Sequence, residues 1–324
     1  MLHDKFGREI NYLRLSVTDR CNLRCSYCMP EYGMVFSPKR DVLHYEEMLR
    51  LVAILSELGI RKVRITGGEP FVRVDLMHLL RELTKNQNIH QISITSNLTV
   101  IRPHLDELKA LGITSVNVSL DALDKQRFFE ITKRDVYEEV ERALFEMIKK
   151  EFQVKINCVV MKGQNEDQIV PLLELAKAHP VSVRFLEEMP FNGLGVEKKD
   201  LLSYNEILAL IRTHYVFNQL PAEPSSTSQN YQIEGFKGNF GVIPSFSRTF
   251  CGDCNRLRLS ATGEVRTCLY GGDELNLRDM LRSGVSEEEV KQAVMDAVSR
   301  KPKDGFAAAE ENEQTYLSMT KLGG

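Results

Sequence analysis

Three thiols within eight residues, Cys21-Asn22-Leu23-Arg24-Cys25-Ser26-Tyr27-Cys28, constrain this chain more than any other stretch. They follow directly on the apolar run Leu13-Arg14-Leu15-Ser16-Val17, so a strand feeds a tight cysteine loop. Thiolates are soft ligands that favour zinc, Cu(I) and iron-sulfur clusters, and three on one short loop can point at a common centre. A cubane bound by only three thiolates keeps one iron open, as a catalytic metal keeps an open position. The other reading is a structural zinc completed by a distant His or Cys. Structural zinc usually shows paired two-residue spacings, which this loop lacks.

The spacing Cys-x3-Cys-x2-Cys with an aromatic, Tyr27, before the last Cys resembles the radical S-adenosylmethionine superfamily. The resemblance implies a 4Fe-4S cluster whose open iron is chelated by the methionyl amino and carboxylate groups. An electron then cleaves the sulfonium, and the resulting 5'-deoxyadenosyl radical abstracts an unactivated hydrogen. That step needs the low end of the cluster potential range.

At 324 residues with 27% charged and 43% apolar residues, the chain suits one large domain or a domain with an appendage. A net charge of −3 offers no general attraction for nucleic acid, so any anionic ligand must be held by local Arg and Lys. The N-terminus lacks the apolar core of a signal peptide, and no apolar run approaches the roughly 20 residues that cross a bilayer. The expectation is a cytoplasmic protein with no membrane partner, whose seven cysteines are ligands rather than disulfides.

Beyond the loop, short apolar strands alternate with helical spacings. Tyr45 to Leu58, Asp75 to Leu83, Pro103 to Leu111, Val136 to Lys150 and Glu166 to Ala178 read as helices. Between them lie the strand-like runs 62–66, 91–95, 114–120, 154–161 and 181–186. Six such units predict an α/β fold: an incomplete (βα)6 parallel barrel with right-handed crossovers. A C-terminal α+β domain is expected to cover its open side. The expected division is a barrel over 1–193, a C-terminal domain over 194–300 and a polar tail over 301–324 that composition alone reads as disordered. The loops after barrel strands gather at one rim. That rim would collect the cysteine loop, Gly67-Gly68-Glu69-Pro70, Thr95-Ser96-Asn97, Ser119-Leu120-Asp121, Lys162-Gly163 and Glu187-Glu188-Met189-Pro190.

Gly67 and Gly68 lack a Cβ where a ligand can approach the backbone closely, although such a pair alone is usually only a turn. A second group, Cys251-x2-Cys254-x13-Cys268, places two thiols on a knuckle and a third past the hairpin 256–260/264–266. Zinc ribbons want four ligands, and the spare Cys158 sits inside a strand as a small core residue, so a second three-ligand cluster is the better reading. Arg256 and Arg258 share one strand face; Arg14, Arg64 and Lys162 lie within or at the ends of other strands. Each could pair internally with Glu69, Glu187 or Glu188, but five together argue for a polyanionic substrate.

With Arg14 to Cys21, Arg64 to Pro70, Asn117 to Ala122, Phe250 to Ser260 and the terminal Gly323-Gly324, the chain resembles the GTP 3',8-cyclase family of molybdenum cofactor biosynthesis. The resemblance implies a lyase with two 4Fe-4S clusters, on Cys21, Cys25 and Cys28 and on Cys251, Cys254 and Cys268, and with S-adenosylmethionine held by Tyr27, Gly68, Glu69, Ser119 and Met189. GTP would lie between the clusters on Arg14, Arg64, Thr95, Lys162, Arg256 and Arg258. The ribose 3' hydrogen is taken, the carbon radical attacks C8 of guanine, and the second cluster's open iron engages the base. The product, (8S)-3',8-cyclo-7,8-dihydroguanosine 5'-triphosphate, passes to a downstream pyranopterin-forming enzyme. An external electron donor is needed, and a homodimer is compatible with the resemblance. Gly323 and Gly324 would enter the barrel mouth near Arg14 and, with Arg14, Arg256 and Arg258, serve catalysis. Departures are Ser96 and Leu98 where the family usually has Thr and Gly, Phe71 and Val74 for Leu and Arg, and a short loop after Met189. A radical maturase acting on peptides is the other enzyme reading, and a zinc-containing binding module the non-catalytic one.

Overall fold

The computed structural model describes residues 1–29, 34–189, 201–222, 225–245 and 251–311. The first half runs β1 (Tyr12–Ser16), α1 (Tyr45–Glu57), β2 (Lys62–Thr66), α2 (Leu76–Leu83), β3 (Gln91–Ser96), α3 (Leu105–Ala110) and β4 (Ser115–Ser119). It continues through α4 (Lys125–Thr132), α5 (Tyr137–Lys149), β5 (Gln153–Val160), α6 (Ile169–Ala178) and β6 (Ser182–Glu187). Then come α7 (Tyr204–Arg212), β7 (Phe217–Gln219), β8 (Gln229–Ile233), β9 (Asn239–Ile243), β10 (Arg256–Leu259), β11 (Glu264–Arg266) and β12 (Leu275–Asn276). Helices α8 (Leu277–Ser283), α9 (Glu287–Ser299) and α10 (Gly305–Glu311) close the described chain.

Strands β1 to β6 pair in sequence order and in parallel, the wall expected from the strand-helix rhythm. Their β-branched residues Val63, Ile65, Ile94, Val116, Val118, Ile156 and Val183 are almost wholly buried, packed with the apolar faces of the helices. The C-terminal region joins this wall from both sides: β10 pairs in parallel with β1, and β9 in parallel with β6. All twelve strands therefore form one sheet, with the antiparallel hairpins β10-β11 and β7-β8 lying outward.

Three elements had weak sequence signals. Helix α4 is short and largely polar, and Asp124 starts it by accepting from Arg127 N at 2.7 Å. Strands β7 and β8 lie at the outer edge, where Tyr231 stacks on Phe240 and supplies the apolar support that local sequence does not advertise. The tail reading needs correction. Residues expected to be disordered from 301 onward begin with Lys301, which is 2% exposed, and continue into α10. Buried carbonyls supply its lysine with hydrogen bonds, a tertiary effect invisible to composition. Gly323 and Gly324 lie outside the described residues, as does the loop after Met189. Cys158 is a buried core residue of β5, as expected.

Candidate functional site

The cysteine loop and the parallel strands, from Tyr12 and Lys62 at their amino ends to the loops beyond their carboxyl ends, line a cavity of about 390 Å³. Cys21, Cys25 and Cys28 line it together with Tyr27, Gly68, Glu69, Thr95, Ser119 and Met189. The glycines answer to a neighbour that the sequence did not reveal. A Cβ on Gly68 would stand 2.2 Å from the carbonyl oxygen of Arg20, and one on Gly67, with φ +148, 2.3 Å from that of Thr18. It is the backbone leading into the cysteine loop that fills this space, tied by Gly68 N to Thr18 O at 2.7 Å and Glu69 N to Arg20 O at 2.9 Å. Glu69 is buried, and its carboxylate accepts from Asn97 N at 2.7 Å, Ser96 Oγ at 3.0 Å and Phe71 N at 3.2 Å. Burial outweighs these donors and raises its pKa to about 7. Asn97 also donates to Asn22 Oδ1 at 3.0 Å and reaches the Cys21 sulfur at 3.7 Å. Leu98, where the family usually has Gly, adopts φ 65 in the left-handed region with its side chain fully buried.

Tyr27 is fixed by donating to Asp121 at 2.9 Å, and the other Asp121 oxygen accepts from Val159 N at 2.9 Å. Burial holds Asp121 up at about 6. The cysteines beside it are correspondingly reluctant to ionise. Burial, then Asp121, Cys28 and Cys21, push Cys25 well above the usual thiol range, and burial lifts Cys21 to about 11. Such a donor set fits a cationic metal core, which favours thiolates that the protein alone does not.

The second group has a different setting. Cys251 is buried, with Cys254 N donating to its carbonyl at 3.2 Å; burial raises its thiol, Gly305 N–H opposes this, and Cys268 and Cys254 add to it. Burial also works against ionising Cys254, but Lys301, Arg256 and Arg258 overcome it and bring that thiol down to about 7. The three cysteines do not themselves line the cavity; Arg256, Arg258 and Leu269 do. Among the described residues no group of Cys, His, Asp and Glu is set to hold a single metal ion.

Between the groups lies the basic set. Parallel register aligns Arg258, Arg14 and Arg64 in one row across β10, β1 and β2. Arg64 and Arg258 are buried and Arg14 is half-buried, and the buried nitrogens Arg14 Nε, Arg64 Nη1 and Arg258 Nη1 have no hydrogen-bond partner among the described residues. None of the three has a carboxylate within ion-pair distance there, so the internal pairing with Glu69, Glu187 or Glu188 does not occur for them. Burial, then Arg258, lowers Arg14 well below the usual guanidinium range, and burial with Arg256 brings Arg258 to about 10. Crowded unpaired donors of this kind fit a polyanion.

Lys162 departs from expectation: it is exposed, just past the end of β5, and does not line the cavity. Lys155, earlier on the same strand, does, together with Lys62, Arg184 and Tyr12, which sequence reading passed over. The signal was present in β5, where alternation buries Val154, Ile156, Cys158 and Val160 and turns Lys155, Asn157 and Val159 to the cavity. Tyr12 accepts a short hydrogen bond from Arg64 Nε, and Lys62 lies 4.9 Å from its ring centroid. Burial raises the Tyr12 phenol, but Arg64, Arg14 and Lys62 prevail and set it at about 8.

The model of the radical SAM superfamily matches residues 15–176, and that described as Molybdenum Cofactor Synthesis C matches residues 181–307. The chain is 41% identical over 324 residues to the GTP 3',8-cyclase of Syntrophomonas wolfei subsp. wolfei, covering 99% of each. It is 39% identical over 326 residues to the mitochondrial GTP 3',8-cyclase of Arabidopsis thaliana, covering 100% of this chain and 84% of that one. With Molybdenum cofactor biosynthesis protein 1 of Drosophila melanogaster the identity is 43% over 310 residues, 95% of this chain and 55% of the other. The chain thus spans about half the length of the animal relatives it matches. Among solved structures, Streptococcus suis SuiB bound to precursor peptide SuiA gives a TM-score of 0.60 at 14% identity, over 97% of this chain and 71% of that one. Native anSMEcpe with bound AdoMet gives 0.60 at 16%, over 94% and 84%. These structures share the fold.

Proposed function

This chain belongs to the radical SAM superfamily and within it to the GTP 3',8-cyclase family, and from that premise we propose that it converts GTP to (8S)-3',8-cyclo-7,8-dihydroguanosine 5'-triphosphate, opening molybdenum cofactor biosynthesis. Membership brings an iron-sulfur cluster and S-adenosylmethionine; a second cluster on Cys251, Cys254 and Cys268 is our reading. When bound, the cluster on Cys21, Cys25 and Cys28 supplies the electron that cleaves the sulfonium. Glu69, Gly68, Ser119, Tyr27 and Met189 hold S-adenosylmethionine against the cavity wall. Arg14, Arg64, Arg256 and Arg258, with Lys155 taking the place given to Lys162, bind the triphosphate; Thr95, whose buried hydroxyl lacks a partner among the described residues, faces the same space. Holding the nucleotide between two cysteine groups presents its ribose to one and its base to the other. The observation that carries this reading is the row of three guanidinium groups, each with a buried nitrogen that has no partner among the described residues.

The same reading includes a barrel unit over 1–193, a second-cluster unit over 194–300, a terminal segment whose Gly323 and Gly324 serve the site, an external electron donor, transfer of product to a pyranopterin-forming enzyme, and a cytoplasmic setting compatible with a homodimer. No helix among the described residues is long and apolar enough to cross a membrane. The test is anaerobic reconstitution with iron and sulfide, followed by reaction with GTP, S-adenosylmethionine and reductant. The expected result is a cyclised nucleotide formed alongside 5'-deoxyadenosine. Zinc without iron and acid-labile sulfide, or turnover of peptides in preference to GTP, would overturn it.

A further inference from the structure

Two buried cations near the second cysteine group take no part in the cavity wall. Arg8, whose side chain is 9% exposed, pairs with the buried Asp4 at 2.5 Å. Its remaining donors reach the carbonyls of Cys251 at 2.9 Å, Lys303 at 2.8 Å and Pro302 at 2.7 Å. Lys301 lies on the other side, 2% exposed, and donates to the carbonyls of Arg256 at 3.2 Å and of Thr267. Every ligand shoulder is thereby pinned: Cys251 at its own carbonyl, Cys268 through Thr267 before it, and Cys254 through Arg256 two residues on. The segment that supplies Lys301 also brings Gly305 N–H to the Cys251 thiol. Asp4 is committed to Arg8 and to the backbone N–H groups of Phe6 and Arg8, and Asp304, the carboxylate that acts on Cys251, accepts from the backbone N–H groups of Phe306 and Ala307, so among the described residues neither forms an ion pair with the lysine.

We propose that Lys301 and Arg8 are positioning residues for the second cysteine group, clasping it from the two ends of the described chain, with Lys301 adding a fixed positive charge beside its thiolates. This rests on the two-cluster reading. A hydrogen-bonded ammonium in a buried setting stabilises added negative charge, so the centre held there accepts an electron more readily than it would without the lysine. Arg8 acts through geometry, since its own charge is already met by Asp4.

The test compares reconstituted full-length chains: wild type, Lys301→Met, Lys301→Arg and Arg8→Gln. The first measurement is iron content, which must show two clusters in the wild type; one cluster only would defeat the two-cluster reading itself. Given two, Lys301→Met is expected to lose second-cluster iron to a chelator about ten-fold faster, the scale of losing charged hydrogen bonds. Its second-cluster midpoint, followed by electron paramagnetic resonance, is expected to move to more negative potential. First-cluster iron and uncoupled cleavage of S-adenosylmethionine should stay at wild-type levels. Lys301→Arg should restore the potential, and Arg8→Gln should speed iron loss while leaving the potential in place. Should Lys301→Met fail to accumulate folded, Lys301→Arg and Arg8→Gln still separate charge from clasp. Unchanged chelation and potential in Lys301→Met, a potential in Lys301→Arg shifted as far as a charge-removing variant would shift it, or unchanged chelation in Arg8→Gln, would overturn the proposal, as would loss of both clusters together.

Discussion

The two cysteine groups each offer three thiols, yet the charge around them is opposite. Asp121 and Glu69 stand beside the first group and raise the cost of its thiolates, whereas Lys301, Arg256 and Arg258 lower Cys254 to about 7. Surrounding charge is one of the levers that sets the potential of an iron-sulfur centre. Acidic neighbours would make a cluster held by the first group harder to reduce and so more strongly reducing once reduced, and they suit a cationic sulfonium ligand. Basic neighbours suit the anionic nucleotide on the other side. One cavity therefore carries a gradient from acid to base, which the nucleotide would span in the proposed function.

The sharpest way to break this comparison is to remove one group at a time. Cys25→Ala is expected to abolish reductive cleavage of S-adenosylmethionine, while Cys254→Ala should retain uncoupled 5'-deoxyadenosine formation and lose cyclisation. Both products are read by chromatography from the same anaerobic reaction, and normal cyclisation by Cys254→Ala would remove the substrate role of the second group. Next in size, Arg258→Lys keeps the charge of the basic side but not its planar fork, so the KM for GTP should rise by about ten-fold. An unchanged GTP dependence would count against the contact. Deleting Gly323 and Gly324 should leave both clusters and S-adenosylmethionine binding intact while cyclisation falls; equal product yield from the truncated chain would make those residues dispensable.

A smaller effect sharpens the basic end. Tyr12, at about 8, is neutral below that value and becomes a phenolate above it, cancelling one unit of the positive charge from Arg64, Arg14 and Lys62. GTP affinity should thus fall a few-fold as pH rises through about 8, and Tyr12→Phe should flatten that fall in a calorimetric titration. Smallest is a test at the acidic end, where Leu98 sits beside Asn97 with φ 65. Leu98→Gly and Leu98→Ala both empty the buried site, but Gly should be no less stable than Ala by denaturant unfolding. Elsewhere Gly in a helix or strand costs about 0.5–1 kcal/mol more than Ala, and this backbone relieves that cost.

The strand-helix rhythm was legible because each strand of the wall packs one face against the helices and so carries apolar residues at alternate positions, and both cysteine groups were legible because their ligands are close in sequence. The basic set was only partly so. Arg14, Arg64, Arg256 and Arg258 stood out as charges inside strands, while Lys155 and Arg184 were hidden by attention to strand ends and Lys162 drew the assignment instead. The glycines after β2 were found for an incomplete reason, since their tight contact with Thr18 and Arg20 joins segments some fifty residues apart. Lys301 and Arg8 gave no signal at all. Apart from Asp4, which pairs with Arg8, their partners are backbone carbonyls, which every residue possesses and no sequence pattern distinguishes.

The pairing of β10 with β1 also has a consequence in time. Strand β1 precedes every other described strand of the sheet, and β10, which covers one of its edges, is made only after β2 to β9. Until then that edge offers open backbone donors and acceptors beside a loop of three thiols, a template for pairing with another nascent chain. Pairings so distant in sequence are slow to form because a long loop must close first. The last strands added therefore guard the first one against aggregation, and a chain stopped short of Arg256 should precipitate even though all six strands of its parallel wall are present.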